Sequence, residues 1–193
     1  MAAVTPEEIR AQLLSAFASN AREEIVLQGF HRAGVLVPFV IHDRRAELLL
    51  TKRTDAVETH KGQISFPGGM VDQGDRDILH TALREAHEEL GIPESAVEPV
   101  GLLDDLATPT GFIITPVLGI MNKLTRLTPN PMEVAEVFLL PLEFFADPHN
   151  GWTELREFRG KQHEVWYYDS GKHIIWGATA MIIRSLLKKL RMA

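Results

Sequence analysis

Residues 84–92 read REAHEELGI and place Glu85, Glu88 and Glu89 within little more than one turn of a predicted helix. Like charges three or four positions apart on a helix repel each other, each pair costing roughly 0.2–0.5 kcal/mol. These charges also lie toward the end of the helix, where its dipole disfavours them. Clustered carboxylates are ligands for hard cations such as Mg²⁺ or Mn²⁺, which are commonly shared with substrate phosphates. The cluster therefore predicts a metal site in preference to a solvated acidic face.

A proline-glycine turn, Phe66-Pro67-Gly68-Gly69, comes shortly before this helix. Glycines without a Cβ let the backbone approach a ligand closely, and the turn offers a carbonyl oxygen as a further hard ligand. The turn and the glutamates together form an all-oxygen ligand set.

The glutamates need a helix that is held in place by packing. Residues 77–90 have apolar side chains at helical spacing, and Gly91 with Pro93 just beyond it predicts the stop. Glu85, Glu88 and Glu89 form a second stripe along one flank of that apolar stripe. Since Glu85 and Glu89 are four positions apart, their carboxylates can reach one point in space.

The rest of the chain predicts strands between helices. Thr5-Pro6-Glu7-Glu8 begins a short N-terminal helix by its cap and box residues, and residues 177–190 form a long C-terminal helix. Between them lie short β-like runs, including hairpins around the turns at 42–45 and 159–161. This order predicts an α/β fold with a mixed sheet covered by helices on both faces.

Length, charge and composition limit the classes of function that this chain can have. The 193 residues carry a formal charge of −6 and no cysteine, which excludes disulfides and thiolate catalysis. The length suits a single domain, 1–193, with an N-terminal helical extension over 1–28. Mild acidity argues against nucleic-acid binding, and the apolar runs are too short to cross a membrane. A cytoplasmic protein is expected.

Gly69 followed by Arg84-Glu85-x-x-Glu88-Glu89-x-Gly91-Ile92 resembles the Nudix box, here spanning 66–92. One position departs from the family pattern. The acid expected after the glycine is Asp75, an aspartate in place of glutamate, and the spacer from it to Arg84 is one residue longer. The core of the motif is intact.

The resemblance implies the Nudix α/β/α sandwich and metal-assisted hydrolysis of a diphosphate linked to another moiety. It implies that Glu85 and Glu89 bind Mg²⁺ or Mn²⁺ together with the Gly68 carbonyl, and that Glu88 is a further or water-mediated ligand. Arg84 would orient the glutamates by charge-assisted hydrogen bonds.

The stretch before the box, LLTKRT at 49–54 and HKGQISFPGG at 60–69, resembles the signature of Nudix enzymes that cleave coenzyme A. Thr110 to Pro116 and Trp176 to Ala180 resemble further stretches of bacterial members, so the resemblance runs from about Gly34 onward. An arginine expected in the signature is replaced by Glu58.

Coenzyme A carries a diphosphate and a 3′-phosphate, so its site needs cations beyond the metals, and its adenine needs an apolar slot. The aromatic candidates for that slot are Phe66, Phe112 and Trp176, each of which could instead be core. The expected substrate-binding residues are Lys52, Arg53, His60, Lys61, Phe66, Gly69 and Thr110.

Hydrolysis also needs a base to take the proton of the attacking water. Glu133 and Glu136 enter a late strand, whose alternation places them on opposite faces, so one of them is expected to serve. We expect Glu136 to bind the metal and keep Glu133 as the base, while edge-strand charge remains the alternative for both. His163 and His173 are expected to be structural.

The sequence therefore predicts a Mg²⁺- or Mn²⁺-dependent pyrophosphohydrolase of coenzyme A or its derivatives. A hydrolase of ADP-ribose or another nucleoside diphosphate conjugate stays open because of Glu58. A non-catalytic nucleotide sensor is the third alternative, and the complete set of box glutamates argues against it. Whether the chain forms a homodimer is also left open.

Overall fold

The computed structural model describes residues 5–18, 22–42, 45–55, 61–124, 126–158 and 160–192. Its helices are α1 (Pro6–Phe17), α2 (Ile78–Leu90), α3 (Leu142–Ala146) and α4 (Ala178–Lys189). Its strands are β1 (His31–His42), β2 (Arg45–Arg53), β3 (Ile64–Ser65), β4 (Gly68–Met70), β5 (Glu98–Leu102), β6 (Leu106–Ala107), β7 (Phe112–Met121), β8 (Val134–Pro141), β9 (Gly151–Phe158), β10 (Lys161–Asp169) and β11 (Ile174–Trp176).

The main sheet is mixed, as predicted. Its central order is β3-β2-β1-β7-β5, with β4 paired to β1, β6 to β7 and β8 to β2. Strands β1 and β7 run parallel, and the other pairs are antiparallel. The predicted hairpin between β1 and β2 is confirmed by the pairing of His42 with Arg45, while its tip, 43–44, lies outside the described residues.

Helices cover both faces of this sheet. Alternate residues along β1 divide between two apolar clusters: Leu36 and Val40 pack with α2, whereas Val37 and Phe39 pack with α1, α3 and α4. The two-residue period of a strand thus builds a three-layer α/β/α arrangement. Among the described residues, no helix is long and apolar enough to span a bilayer.

The ends of the predicted helices are set by local chemistry. Thr5 caps α1 in a capping box with Glu8, as the sequence predicts. Asp77 lies just outside α2 as its N-cap and accepts a hydrogen bond from the His80 amide. Gly91 ends α2 in the left-handed region at φ 68°.

A second sheet was not predicted. Strands β9, β10 and β11 form a three-stranded antiparallel sheet in the order β11-β10-β9. The β9–β10 hairpin was expected from the sequence, and its turn residue Arg159 lies outside the described residues. Periodicity identified the strands but could not tell which sheet they would join.

Candidate active site

Helix α2 is fixed to the sheet by a continuous apolar stripe. The helix lies so close to β1 that a Cβ on Gly34 would come within 2.7 Å of the Ile78 carbonyl oxygen. Its buried apolar side chains are Ala82, Leu83, Ala86 and Leu90. This close packing fixes the position of the flank that carries the glutamates.

Strand β4 brings the glycine turn against the first of those glutamates. A Cβ on Gly69 would lie 2.5 Å from the carboxylate of Glu85, so any larger residue would displace that carboxylate from its position. The sequence predicted that these glycines allow a close approach to the backbone. In the structure, the group that makes this approach is the box glutamate.

Arg84 connects four oxygen-bearing groups around the site. Its Nη1 donates to Glu85 Oε1 at 2.8 Å and to Glu88 Oε2 at 3.1 Å. Its Nη2 donates to the Met70 carbonyl at 3.1 Å, and the other donors reach Asp75. The pKa of Arg84 is raised, first by its hydrogen bonds to Asp75 and then by Glu85. These contacts hold the guanidinium against both glutamates, and its role in orienting them stays a prediction.

Asp75, the departure from the family spacing, is the buried anchor of Arg84. Its carboxylate is 1% exposed and accepts from Arg84 Nε at 2.9 Å and Nη2 at 3.0 Å. It also accepts from Thr81 Oγ1 and the Asp72 amide, both at 2.9 Å, and contacts His80 Nδ1 at 3.0 Å. The Arg84 hydrogen bonds hold the pKa of Asp75 well below its usual range. Asp75 thus acts through Arg84.

Glu89 is a buried carboxylate, 4% exposed as a residue. Burial raises its pKa to about 8, against the opposing charge of Arg53, and the charges of Glu133 and Glu85 raise it further. A backbone hydrogen bond from Gly68 lowers it. Burial is also the main cause that raises the pKa of Glu85. In each group, burial therefore opposes ionisation more strongly than the neighbouring arginine favours it, so a further cation is needed to hold the charged form.

Arg53 is the cation that approaches this buried carboxylate. It ends β2, and its Nη1 lies 3.9 Å from Glu89 Oε1. Its Nε is buried and has no hydrogen-bond acceptor among the described residues. A buried donor without a partner is costly, so the group is suited to an acceptor brought by a ligand.

Glu133 belongs to the same electrostatic neighbourhood. It lies in the turn before β8, and its charge raises the pKa values of Glu85 and Glu89. Asn130 Nδ2 donates to Glu133 Oε1 at 3.0 Å, and the Asn130 amide donates to the Glu89 carbonyl at 2.8 Å. Asn130 therefore joins the turn to α2. Asn130 is not among the residues predicted from the sequence, although its place between two prolines marks a defined turn.

Glu136, the expected metal ligand, has other partners. It contacts Lys172 Nζ at 2.5 Å and His173 Nε2 at 3.3 Å, and the hydrogen bond from Lys172 is the first cause that lowers its pKa. The residue two positions on, Phe138, packs in the cluster on the α4 side of the sheet. Strand alternation therefore places Glu136 on the face away from α2, which corrects the expected order of the two glutamates.

The expected substrate-binding residues do not all converge. Alternation along β2 places Lys52 on the face opposite to Arg53, in register with Glu136. Lys61 is exposed, and Thr110 lies in an exposed turn where its hydroxyl contacts Thr108 at 3.0 Å. His60 and Glu58 lie outside the described residues.

The aromatic residues proposed for the adenine slot pack against other parts of the protein. Phe66 is 3% exposed and packs in the α4-side core, which corrects its expected contact with substrate. The Phe112 ring lies 5.8 Å from the His31 ring at the start of β1, and Trp176 stacks on Tyr167 in the second sheet. His173 is structural, as expected, stacking on Phe138 at 4.4 Å.

The donor set fits a hard divalent cation. It consists of carboxylate oxygens, of which those of Glu89 are buried and those of Glu85 are half-buried, and the pKa values of both groups are raised. Among the described side chains, the nearest cations are Arg84, 2.8 Å from Glu85, and Arg53, 3.9 Å from Glu89. No group of three acidic or histidine side chains among the described residues forms a ready-made cage. Mg²⁺ often uses only one or two carboxylates and completes its shell with water and substrate phosphates, so such a cage is not required.

Comparison with known proteins gives one consistent family. A family model described as NUDIX domain matches residues 30–159. A protein of Photorhabdus laumondii named Uncharacterized Nudix hydrolase NudL is 39% identical over 82% of this chain and 84% of its own length. A Pectobacterium atrosepticum protein of the same name is 42% identical over 80% of each chain.

Solved structures agree on the fold. The crystal structure of the Nudix hydrolase RenU from M. smegmatis superposes with a TM-score of 0.52 at 24% identity. The match covers 63% of this chain and 76% of that one. The predicted α/β/α sandwich with a mixed sheet is thus confirmed.

Proposed function

The chain belongs to the Nudix family of pyrophosphohydrolases, which act on small diphosphate substrates with divalent metal ions, and we propose that its substrate is coenzyme A or a coenzyme A derivative. The products would be 3′,5′-ADP and 4′-phosphopantetheine or its acylated form. The observation that carries the proposal is the position of Arg53, which ends the LLTKR segment directly beside Glu89 with its Nε unpaired.

Glu85 and Glu89 would hold the metal, Mg²⁺ or Mn²⁺, with the Gly68 carbonyl and Glu88 as further ligands. Glu88 is the exposed member of the box, 3.1 Å from Arg84, so it can reach a ligand through water. When bound, a divalent cation supplies charge that polarises the diphosphate and lowers the pKa of a nearby water.

Glu133 would take the proton of the attacking water. The oxygen of that water forms a bond to one phosphorus, and the bond from that phosphorus to the bridging oxygen breaks. The leaving phosphate departs with the bridging oxygen, and the proton goes to the Glu133 carboxylate. Asn130, which donates to Glu133 at 3.0 Å, would keep that carboxylate facing the site.

Arg53 would bind a phosphate oxygen through its unused Nε. Charge-assisted hydrogen bonds from arginine to phosphate are strong and directional, so this contact fixes the diphosphate beside Glu89. Gly69 provides the close backbone wall next to Glu85. Lys61, which is exposed in the segment that precedes the box, would contact the 3′-phosphate.

A panel of diphosphate compounds tests the proposal. Purified protein is incubated with Mg²⁺ or Mn²⁺ and coenzyme A, 3′-dephospho-coenzyme A, acetyl-coenzyme A, or ADP-ribose, and products are separated by anion-exchange chromatography. We expect coenzyme A compounds to have the highest kcat/KM, and loss of the 3′-phosphate to reduce it. Faster turnover of ADP-ribose than of coenzyme A would overturn the substrate assignment and favour the alternative left open by Glu58.

A further inference from the structure

Strand β9 is an open edge of the second sheet. It pairs only with β10 among the described residues, since the sheet order is β11-β10-β9. Its register with β10 continues from Gly151 to Phe158 without a bulge, and the strand contains no proline. Natural edge strands are usually shortened, bulged, charged or interrupted by proline, because a regular open edge can pair with another strand. Strand β9 carries charges but has none of the other three features.

The exposed side chains of β9 are partly apolar. Leu155 is 70% exposed and Trp152 is 37% exposed. Glu154 lies between these two residues and Arg156 follows Leu155. Glu154 and Arg156 form an ion pair at 2.6 Å. The regular edge therefore carries opposite charges on either side of an exposed leucine.

We propose that this edge pairs with β9 of a second copy of the chain, in antiparallel orientation about a two-fold axis at Leu155. A two-fold axis perpendicular to the sheet keeps the faces of both copies aligned, so facing residues must have the same parity. With the axis at Leu155, Glu154 faces the partner's Arg156, and Arg156 faces the partner's Glu154. Leu155 faces the partner's Leu155.

Charge complementarity selects this register over its neighbours. An axis at Glu154 would place that carboxylate opposite its own copy, and an axis at Arg156 would do the same for the guanidinium. Like charges directly opposite each other across a strand pair are destabilising, whereas opposite charges stabilise it. The register at Leu155 is thus the one of the three central registers in which the charges match.

The pairing is closed. It joins the two edges into a six-stranded sheet, β11-β10-β9 followed by the same strands of the partner in reverse order. The other end of each sheet, β11, contacts β3 of the main sheet. An isologous contact uses the same edge in both copies, so it gives a dimer and not a fibre.

Reciprocal charge substitutions test the register. Glu154→Arg places two arginines opposite two arginines of a like copy, and Arg156→Glu does the same with glutamates. In sedimentation-velocity experiments we expect wild type to be dimeric and each single variant monomeric. The double variant Glu154→Arg/Arg156→Glu restores opposite charges and is expected to be dimeric again.

Mixing the two single variants provides a stricter test. Each arginine of the first then faces a glutamate of the second, so tagged Glu154→Arg protein should capture untagged Arg156→Glu protein. Melting temperatures measured alongside verify that each variant is folded. The proposal is overturned if wild type sediments as a monomer throughout the accessible concentrations, if both single variants remain dimeric, or if the mixed variants fail to pair.

Discussion

Arg84 donates two parallel hydrogen bonds to the buried carboxylate of Asp75, from Nε at 2.9 Å and from Nη2 at 3.0 Å. The same guanidinium reaches Glu85 at 2.8 Å with its remaining nitrogen. A bidentate contact fixes the plane of the guanidinium, which in turn fixes the glutamate. The contact between Asp75 and Arg84 thus acts as a clamp behind the proposed metal ligands Glu85 and Glu89.

Loss of this clamp should reduce both stability and rate. We expect Arg84→Lys to lower kcat by about 10–100-fold, because lysine cannot replace the bidentate contact that positions Glu85. Arg76→Lys is the matched control, since Arg76 is 72% exposed and lies 3.9 Å from Glu94 at the surface. Equal kcat values for the two variants in a coenzyme A assay would contradict the positioning role.

Asp75 should contribute stability that depends on pH in a defined direction. Its pKa is lowered in the folded state, so its contribution is present above the pKa of the unfolded chain and is lost as the pH falls through the folded value. We expect Asp75→Asn to cost about 2 kcal/mol at neutral pH. Urea denaturation at neutral and acidic pH should show this difference shrinking toward acid.

Glu89 should make the stability of the metal-free protein depend on pH in the opposite direction. Its pKa is raised from 4.5 to about 8, so the folded state keeps a proton that the unfolded chain releases between those values. Stability should therefore fall as the pH rises through that window, by on the order of a few kcal/mol, and Glu89→Gln should remove the slope. Urea denaturation of both proteins in EDTA measures it.

Metal addition separates this effect from simple burial. A divalent cation competes with the proton for the carboxylate, so Mg²⁺ or Mn²⁺ should stabilise wild type most at the alkaline end of the window and release protons on binding. Glu89→Gln should show neither response and should lose kcat by orders of magnitude. Full turnover by this variant would remove Glu89 from the proposed ligand set.

The variants Glu133→Gln and Glu136→Gln together test which of the two glutamates acts as the general base. We expect Glu133→Gln to lower kcat by about 10²–10⁴-fold, the usual contribution of a general base. Glu136→Gln should leave kcat near wild type, because its carboxylate is held by Lys172 and His173 on the other face of the sheet. The reverse ranking in a steady-state assay would restore the order predicted from sequence.

Arg53 and Lys52 form a matched pair for substrate binding. Arg53→Ala should raise KM for coenzyme A by about 10–100-fold, because it removes a charge-assisted hydrogen bond to phosphate. Lys52→Ala should change KM little, since strand alternation places Lys52 on the face with Glu136. Initial-rate measurements over a range of coenzyme A concentrations distinguish the two.

Local patterns in the sequence were sufficient for α2 and its glutamates. Helix α2 spans Ile78–Leu90, close to the predicted range of 77–90. The prediction succeeds because the apolar residues at helical spacing, the Asp77 cap and the Gly91 stop all lie within one segment. The orienting contact of Arg84 with Glu85 was likewise predictable, since both belong to one turn of that helix. Such features depend on neighbours in sequence.

Only the tertiary structure decided which distant side chains share the site. Arg53 meets Glu89 because it projects from β2 on the face of the sheet that α2 covers. Glu133 reaches the same neighbourhood from the turn before β8. Glu136 goes to the opposite face, where the segment carrying Lys172 meets it. Sequence periodicity fixes alternation within a strand, but which face meets which helix depends on sheet pairing over long separations in the chain.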